Sequence, residues 1–210
     1  ILLENDADTD FKMVYYNADG NEGSMCGNGG RCIVAFAKFL GIISAETTFM
    51  ATDGLHSAEI KDGLVSLQMI DVDQIRQKSE YSFLNTGSPH HVQLVPDVAS
   101  FDVFTEGKKL RYGLYGQKGS NINFVEQKAD DIFEVRTYER GVEDETLACG
   151  TGVTAVALAM HQSEKLKSNR AIIKVLGGEL EVVFEVEKEG YKNIWLIGPA
   201  VQVYNGTIEL

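Results

Sequence analysis

Residues 11–41 read FKMVYYNADGNEGSMCGNGGRCIVAFAKFLG: a strand pattern, a polar acidic loop, a Cys-Gly-x-Gly sequence and then an apolar helix. Residues 133–163 read FEVRTYERGVEDETLACGTGVTAVALAMHQS and repeat the same order. Self-similarity at this scale is typical of a chain built from two related units. The sequence therefore predicts two similar halves, each with several strands and one long helix.

The rest of the chain is rich in strand patterns. Period-2 alternation with β-branched and aromatic residues predicts strands at 11–16, 47–51, 64–69, 91–95, 122–125, 133–138, 171–175, 180–186 and 194–197. Both helices are apolar nearly all round, so each is expected to be enclosed by protein, and Gly41 is placed to end the first as a left-handed C-cap. The expected fold is α/β (α+β), with two pseudo-symmetric domains, each a barrel-like curved sheet around a central helix.

Composition bounds the function. The 210 residues carry a formal net charge of −12 without a basic cluster, which argues against a nucleic-acid partner. No apolar stretch is long enough to span a bilayer, and three cysteines are too few for a disulfide scaffold, so a cytoplasmic location is expected and no membrane partner. The chain opens without Met on an apolar triplet, which we interpret as a cut rather than a natural terminus.

The two matching cysteines, Cys26 and Cys149, are the candidate reactive groups. A cysteine at a helix start lies beside unpaired N–H groups and the positive end of the helix dipole, which lower a thiol pKa. The neighbouring glycines let a carboxylate or phosphate approach the amides closely. Two such helix starts around one small anionic ligand suit a base on one face of a carbon and an acid on the other, as inversion next to a carboxylate requires.

Other chemistries remain open at this point. A disulfide between Cys26 and Cys32 is disfavoured, since residues six apart around a helix start face different ways, and Cys32 is expected to pack in the core. Zinc would need further ligands, and the adjacent His90 and His91 would point oppositely in a strand. A nucleophilic pair with His90 leaves the second cysteine unexplained, and a non-catalytic anion binder has no use for either thiol.

Long motifs resemble those of the diaminopimelate epimerase family. They read NADGNEGSMCGNGGRC, YERGVEDETLACGTG, GSPHHV, SNINFV and the terminal GPAVQVYNGTIEL, and together they span essentially the whole chain. The resemblance implies an isomerase that interconverts LL- and meso-diaminopimelate in lysine biosynthesis, without pyridoxal phosphate, other cofactor or metal. It also implies an active site in the cleft between two domains, of residues 1–72 plus 199–210 and residues 73–198.

The same resemblance assigns roles to individual residues. Cys26 and Cys149 would be the two acid/base groups, with His90 and Glu139 tuning their proton transfer. Tyr204 corresponds to a tyrosine at a dimer contact, which implies a homodimer. The residues expected to bind the substrate, by backbone amide or by side chain, are Asn17, Gly27, Asn28, Ser88, Asn121, Glu139, Arg140, Gly150 and Thr151.

The chain departs from the family pattern in places. Ser88 stands where the pattern GNPH has Asn, and a hydroxyl reaches less far than an amide. The family also has residues before this start, including a GNDF asparagine, so the first domain is expected to lack strands and part of its pocket. Proline racemases use a similar pair of thiols, but their first motif reads Cys-Gly-His, whereas Asn28 follows Gly27 here.

Overall fold

The computed structural model describes residues 1–17, 20–23, 25–188 and 190–209. Of the motif NADGNEGSMCGNGGRC, Ala18, Asp19 and Ser24 lie outside the described residues. The helices are α1 (Gly27–Phe39), α2 (Val103–Gly113) and α3 (Gly150–Gln162). The strands are β1 (Leu2–Glu4), β2 (Phe11–Val14), β3 (Glu46–Ala51), β4 (Gly54–Lys61), β5 (Leu64–Gln68), β6 (Arg76–Gln77), β7 (Ser82–Asn85), β8 (Pro89–Leu94), β9 (Asn121–Gln127), β10 (Ile132–Glu139), β11 (Asp144–Thr146), β12 (Arg170–Val175), β13 (Gly178–Glu187) and β14 (Gly190–Pro199).

The internal repeat predicted from the sequence is confirmed by the strand pairing. In the first half, α1 connects the parallel strands β2 and β3, and β3, β4 and β5 follow as antiparallel neighbours. In the second half, α3 connects the parallel strands β10 and β12, and β12, β13 and β14 follow in the same way. Parallel neighbours need a crossover connection, usually a helix, and each Cys-Gly-x-Gly helix is that connection in its half.

One curved sheet runs through both halves. Its order is β1-β2-β3-β4-β5-β14-β13-β12-β10-β9-β8-β7-β6, with β11 paired to β10 at the side. The last strands of the two halves, β5 and β14, pair antiparallel from Leu64–Pro199 to Gln68–Trp195. The halves are therefore joined edge to edge at this seam, and the predicted fold class is confirmed.

The two repeated helices differ in how far they are enclosed. Every residue of α3 from Gly150 to Met160 is buried, as expected for a helix wrapped by the sheet. The same expectation is wrong for α1, where Phe36, Phe39 and Leu40 are about half exposed and Cys32 is exposed rather than in the core. The reason is that this face of α1 borders an open cavity of about 1000 Å³ shared with residues 200–207.

A third helix, α2, was not predicted. Its interior holds Gly107, which weakens the helical pattern by about 1 kcal/mol relative to alanine. The glycine is needed because a Cβ there would lie 2.7 Å from Cγ of Tyr138 in β10. Asp102 caps the helix by accepting a hydrogen bond from the Thr105 N–H at 3.0 Å.

The last strand, β14, extends beyond the predicted residues 194–197 at both ends. β14 stops at Pro199, residues 200–209 have no regular structure, and all of them but the partly buried Ala200 are exposed. In the described part of the chain, no helix combines the length and apolar character needed to cross a membrane.

Candidate active site

The two cysteines occupy equivalent positions in the two halves. Cys26 is the N-cap of α1, with φ −116° and ψ 110°, and Cys149 is the N-cap of α3, with φ −119° and ψ 108°. Both are therefore extended residues at the point where a helix opens, with the first N–H groups of that helix beside the thiol. The structure thus places Cys26 and Cys149 at helix starts, as the sequence predicts.

The helix starts meet through glycine. A Cβ on Gly27 would lie 3.1 Å from Gly150 Cα, and a Cβ on Gly150 would lie 2.9 Å from Gly27 Cα. Both would also press on the Leu196 side chain in β14. Only residues without a Cβ permit this approach, which brings the two cysteine-bearing turns together at the seam.

Cys26 is half-buried and its Sγ accepts a hydrogen bond from the Gly29 N–H at 3.3 Å. Burial nevertheless raises the pKa of this thiol, while the N–H groups of Gly29 and Asn28 oppose the rise. The expectation that the helix start lowers the pKa is therefore wrong for the free protein. Removal of the thiolate from water destabilises it by more than the hydrogen bonds from the amides stabilise it.

Cys149 lies deeper, with 8% of its surface exposed. Burial, followed by the negative charge of Glu139, raises the pKa of this thiol to about 12. Its Sγ lies 3.5 Å from the Thr151 hydroxyl, which opposes the rise. Both cysteines are consequently neutral thiols near pH 7, and Cys149 is the more difficult to ionise.

Hydrogen bonds made by Arg31 and Asn28 connect the two helix starts. Arg31 donates hydrogen bonds to the Gly27 carbonyl at 3.2 Å and to Asn28 Oδ1 at 3.1 Å, and Asn28 Nδ2 donates to the Ala148 carbonyl at 2.8 Å. Arg31 is 6% exposed, and burial lowers the pKa of its guanidinium. Sequence reasoning missed Arg31, although it stands inside the quoted motif.

A second set of polar groups supports the Cys149 turn. His90 Nε2 lies 2.9 Å from the Thr151 hydroxyl, and His90 Nδ1 lies 3.2 Å from Asn123 Nδ2. His91 points to the other side of β8, 2.8 Å from the Tyr115 hydroxyl, as the strand geometry predicts. The sequence also did not identify Asn123 as a site residue, because the alternation in β9 indicates only that its side chain faces inward.

Three of the predicted substrate-binding residues form one cluster. Ser88 Oγ accepts from Asn121 Nδ2 at 3.1 Å and from Arg140 Nη2 at 3.3 Å, and Asn121 Oδ1 accepts from the Arg140 backbone N–H at 2.8 Å. The Arg140 guanidinium also donates a hydrogen bond to the Lys118 carbonyl at 3.1 Å. Ser88 thus holds Arg140 in place with the same atom that orients Asn121.

The other predicted site residues, Glu139, Asn17 and Tyr204, lie outside the hydrogen-bonded Ser88 cluster. Glu139 accepts a hydrogen bond from the Thr146 hydroxyl at 2.9 Å, and burial raises the pKa of its carboxyl. Asn17 is exposed in a loop, where its carbonyl accepts from the Gly20 N–H at 3.0 Å, and the hydrogen bonds of the Ser88 cluster do not include it. Tyr204 is 86% exposed in the terminal segment beside α1.

The three cysteines are free thiols. Within the described residues, no group of three or more His, Cys, Asp or Glu side chains is arranged to hold a metal ion.

Comparison with solved structures defines the class. A phenazine biosynthesis protein of the PhzF family from Bacillus anthracis is similar over 94% of this chain and 80% of its own, with a TM-score of 0.70 and 15% identity. A methylitaconate-delta-isomerase is similar over 97% of this chain and 78% of its own, with a TM-score of 0.61 and 14% identity. The chain therefore shares its fold with the PhzF-family protein and the methylitaconate-delta-isomerase.

Sequence comparison is more specific. The family model described as diaminopimelate epimerase matches residues 82–203. Curated proteins with that name are similar to the chain: one from Flavobacterium psychrophilum is 59% identical over 99% of this chain and 82% of its own length. Another, from Chlorobaculum tepidum, is 43% identical over 100% of this chain and 84% of its own. The chain belongs to the diaminopimelate epimerase family, whose members are isomerases.

Proposed function

We propose that the chain interconverts LL- and meso-diaminopimelate by proton transfer between Cys26, the substrate α-carbon and Cys149. The observation that carries this proposal is the contact between Gly27 and Gly150, which sets two cysteine N-caps side by side at one site. Similarity to relatives named for this activity supports the choice of substrate.

The reaction needs only the two thiols as proton carriers. One cysteine, as the thiolate, removes the α-hydrogen as a proton, and the bonding electrons remain on the substrate as a carbanion. The other cysteine, as the thiol, donates its proton to the opposite face of the same carbon. The configuration is inverted, the thiolate and the thiol have exchanged, and the reverse reaction starts from the new arrangement.

Of the two thiols, Cys26 is the one that ionises more readily. It is only half-buried, and its sulfur accepts a hydrogen bond from Gly29. Cys149 is nearly fully buried, and its pKa is raised to about 12. Although both are neutral thiols in the free protein, Cys26 would therefore be the one that more readily loses its proton to become the base.

The reacting carboxylate belongs at the meeting point of the two helices. The amides of Gly27, Asn28, Gly150 and Thr151 lie in the first turns of α1 and α3, where N–H groups have no partner within the helix. An anion at one helix start gains up to about 2 kcal/mol, whereas enzymic acceleration requires about 8 kcal/mol or more. Exclusion of water and alignment of both thiols with the C–H bond must supply the rest.

The far end of the substrate belongs at the Ser88 cluster. Within the described residues, Arg140 has no carboxylate partner, and its guanidinium bonds only neutral oxygens. An unneutralised guanidinium suits bidentate binding of a second carboxylate. Asn121, Ser88, Asn17 and Glu139 would bind the remaining polar groups, and His90 and Glu139 would tune the thiols.

Four further parts of the proposal follow from the sequence and its family resemblance. The first domain would comprise residues 1–72 plus 199–210 and the second residues 73–198, with β5 and β14 meeting at their seam. The location would be the cytoplasm. A homodimer would form with Tyr204 at the contact, and no cofactor would be required.

The test is solvent exchange at the α-carbon. The protein is incubated with LL-diaminopimelate in D2O without added cofactor, and deuterium uptake is followed by NMR. We expect uptake together with appearance of the meso isomer. Uptake from free proline but none from diaminopimelate would assign the chain to proline racemase chemistry instead.

Single cysteine variants test the mechanism. Cys26→Ala and Cys149→Ala are each expected to abolish epimerisation, because each removes one of the two proton carriers. Cys32→Ala is the matched control, since Cys32 is exposed on α1. Equal tolerance of all three changes would refute the two-thiol mechanism.

A further inference from the structure

A continuous chain of hydrogen bonds leads from Asn123 to Cys149. Asn123 Nδ2 lies 3.2 Å from His90 Nδ1, His90 Nε2 lies 2.9 Å from Thr151 Oγ1, and Thr151 Oγ1 lies 3.5 Å from Cys149 Sγ. Asn123 and His90 are 0% exposed and Thr151 is 4% exposed. Water therefore does not compete for these groups, and each proton in the chain has a defined place.

The orientation of the Asn123 amide is fixed at its start. The Thr137 hydroxyl donates to Asn123 Oδ1 at 3.0 Å, and Asn123 Nδ2 donates to the His91 carbonyl at 2.8 Å. A carbonyl oxygen only accepts, so the atom beside it must be the amide nitrogen. The second hydrogen of that nitrogen is left to point at His90 Nδ1.

This orientation fixes the tautomer of His90. An amide nitrogen only donates, so His90 Nδ1 must accept and carries no proton. Complete burial, together with the nearby charge of Arg140, lowers the pKa of His90 to about 3, so the ring is neutral at pH 7. Its one proton therefore lies on Nε2 and is donated to the Thr151 oxygen.

The consequence reaches the catalytic sulfur. Because the Thr151 oxygen accepts from His90, its own proton is free to be donated to Cys149. We propose that Asn123 is a positioning residue: by holding His90 in the Nε2–H tautomer, it commits the Thr151 hydroxyl to donate to the Cys149 thiolate. The proposal rests on the proposed function, in which Cys149 passes through the thiolate.

The charged groups around Cys149 make this donor important. Burial first, then Glu139 and, to the smallest extent, Cys26 disfavour a negative charge on the Cys149 sulfur. The Thr151 hydroxyl and the Gly152 amide are the groups that favour it. A reversed chain, in which Thr151 donates to His90, would leave the sulfur without its side-chain donor.

The tautomer is tested by 15N NMR of the histidine rings, with the His90 signals identified by their loss in His90→Gln. In the unmodified protein we expect Nδ1 to report an unprotonated nitrogen and Nε2 a protonated one. In Asn123→Asp the carboxylate accepts from Nδ1, so the two signals should exchange. An Nδ1–H ring in the unmodified protein, or an unchanged ring in a folded Asn123→Asp variant, would overturn the proposal.

The effect on the sulfur is tested by alkylation at pH 8 in a Cys26→Ser, Cys32→Ser background, where only Cys149 reacts. Thr151→Val should slow alkylation about tenfold, as expected for loss of one hydrogen bond to a charged group. Thr151→Ser, which keeps the hydroxyl, should restore the rate to within about twofold. Retention of the full rate in Thr151→Val would overturn the proposal even if Asn123→Asp failed to fold.

A double-variant cycle distinguishes an effect of the His90 tautomer on Cys149 from an effect of the negative charge that Asn123→Asp introduces. Asn123→Asp should slow alkylation about tenfold alone and have little further effect in the Thr151→Val background. Equal slowing in both backgrounds would mean that the new carboxylate acts through its charge, and the proposal would be wrong. The NMR and alkylation measurements do not require the protein to turn over substrate. Absence of epimerisation would therefore refute the proposed function, whereas the His90 tautomer would still be decided by the NMR and alkylation results.

Discussion

Replacing Gly150 by alanine is expected to impair catalysis by forcing the two helix starts apart. The new Cβ would lie 2.9 Å from Gly27 Cα and 3.0 Å from Leu196 Cδ2, whereas ordinary contacts of a Cβ begin near 3.4 Å. The Leu196 side chain can turn away, but the Gly27 backbone belongs to α1. The helices must therefore separate by the difference between 3.4 and 2.9 Å, about 0.5 Å.

Two effects of opposite sign determine the stability change. Overpacking of this kind costs about 1–3 kcal/mol, while alanine gains up to about 1 kcal/mol over glycine within a helix. A net loss of about 1–2 kcal/mol in the free energy of unfolding is expected. Because a displacement of about 1 Å costs about 100-fold in rate, a separation of half that size should lower kcat/KM about tenfold.

The assay is the epimerisation rate together with urea unfolding. The matched control is Gly113→Ala at the end of α2, where an added Cβ meets nothing within 4 Å. That variant should keep its activity and be neutral or slightly stabilised, which isolates the helix-propensity effect. Retention of full activity and stability by Gly150→Ala would show that the close contact between the helix starts has no role.

Two further predictions concern the structure around the site. His56 donates from Nδ1 to the Gln68 carbonyl and from Nε2 to Asp53, and although burial opposes its charge, these bonds raise its pKa above 6.5. The stability lost in His56→Gln should therefore be largest below pH 6.5 and become smaller as the pH rises through the folded pKa; a loss independent of pH in urea titrations would contradict this. Gly107→Ala should lower the free energy of unfolding by about 1–3 kcal/mol, because its Cβ would press on the Tyr138 ring; circular dichroism during urea unfolding should detect the loss.

The repeat was predictable because its signal is local. Cys-Gly-x-Gly followed by an apolar helix occurs twice in the sequence, each time between two predicted strands, and a helix is the usual crossover between parallel strands. All nine predicted strands are present. The unpredicted strands β1, β6, β7 and β11 have two to four residues and too little alternation to be recognised, whereas β4 was missed although it has eight residues.

Other features depend on what packs against a residue, which periodicity does not reveal. The apolar residues of α1 predicted enclosure, yet Phe36 and Phe39 face an open cavity. The sign of the thiol pKa shifts was wrong for a similar reason. The helix start is visible in the sequence, whereas the burial of Cys149 depends on residues distant along the chain.

The candidate site was predictable as far as its motifs extend. Ser88, Asn121 and Arg140 come from three separate motifs and meet in one hydrogen-bonded cluster. Asn123 lies only two residues from Asn121, but its connection to His90 requires the parallel pairing of β8 and β9. Pairing register is a property of the folded sheet, and a single sequence contains no local signal for it.

The contact between Gly27 and Gly150 also bears on how stable the protein is without its substrate. Each helix start carries a partial positive charge equivalent to about half an elementary charge, and this contact holds two of them together. Like partial charges repel, so the free protein is less stable than its packing alone would make it. A bound carboxylate removes that repulsion, which makes substrate binding a contribution to folding stability as well as to catalysis. The site thus exemplifies a trade-off in which a destabilised arrangement is retained because the reaction needs it.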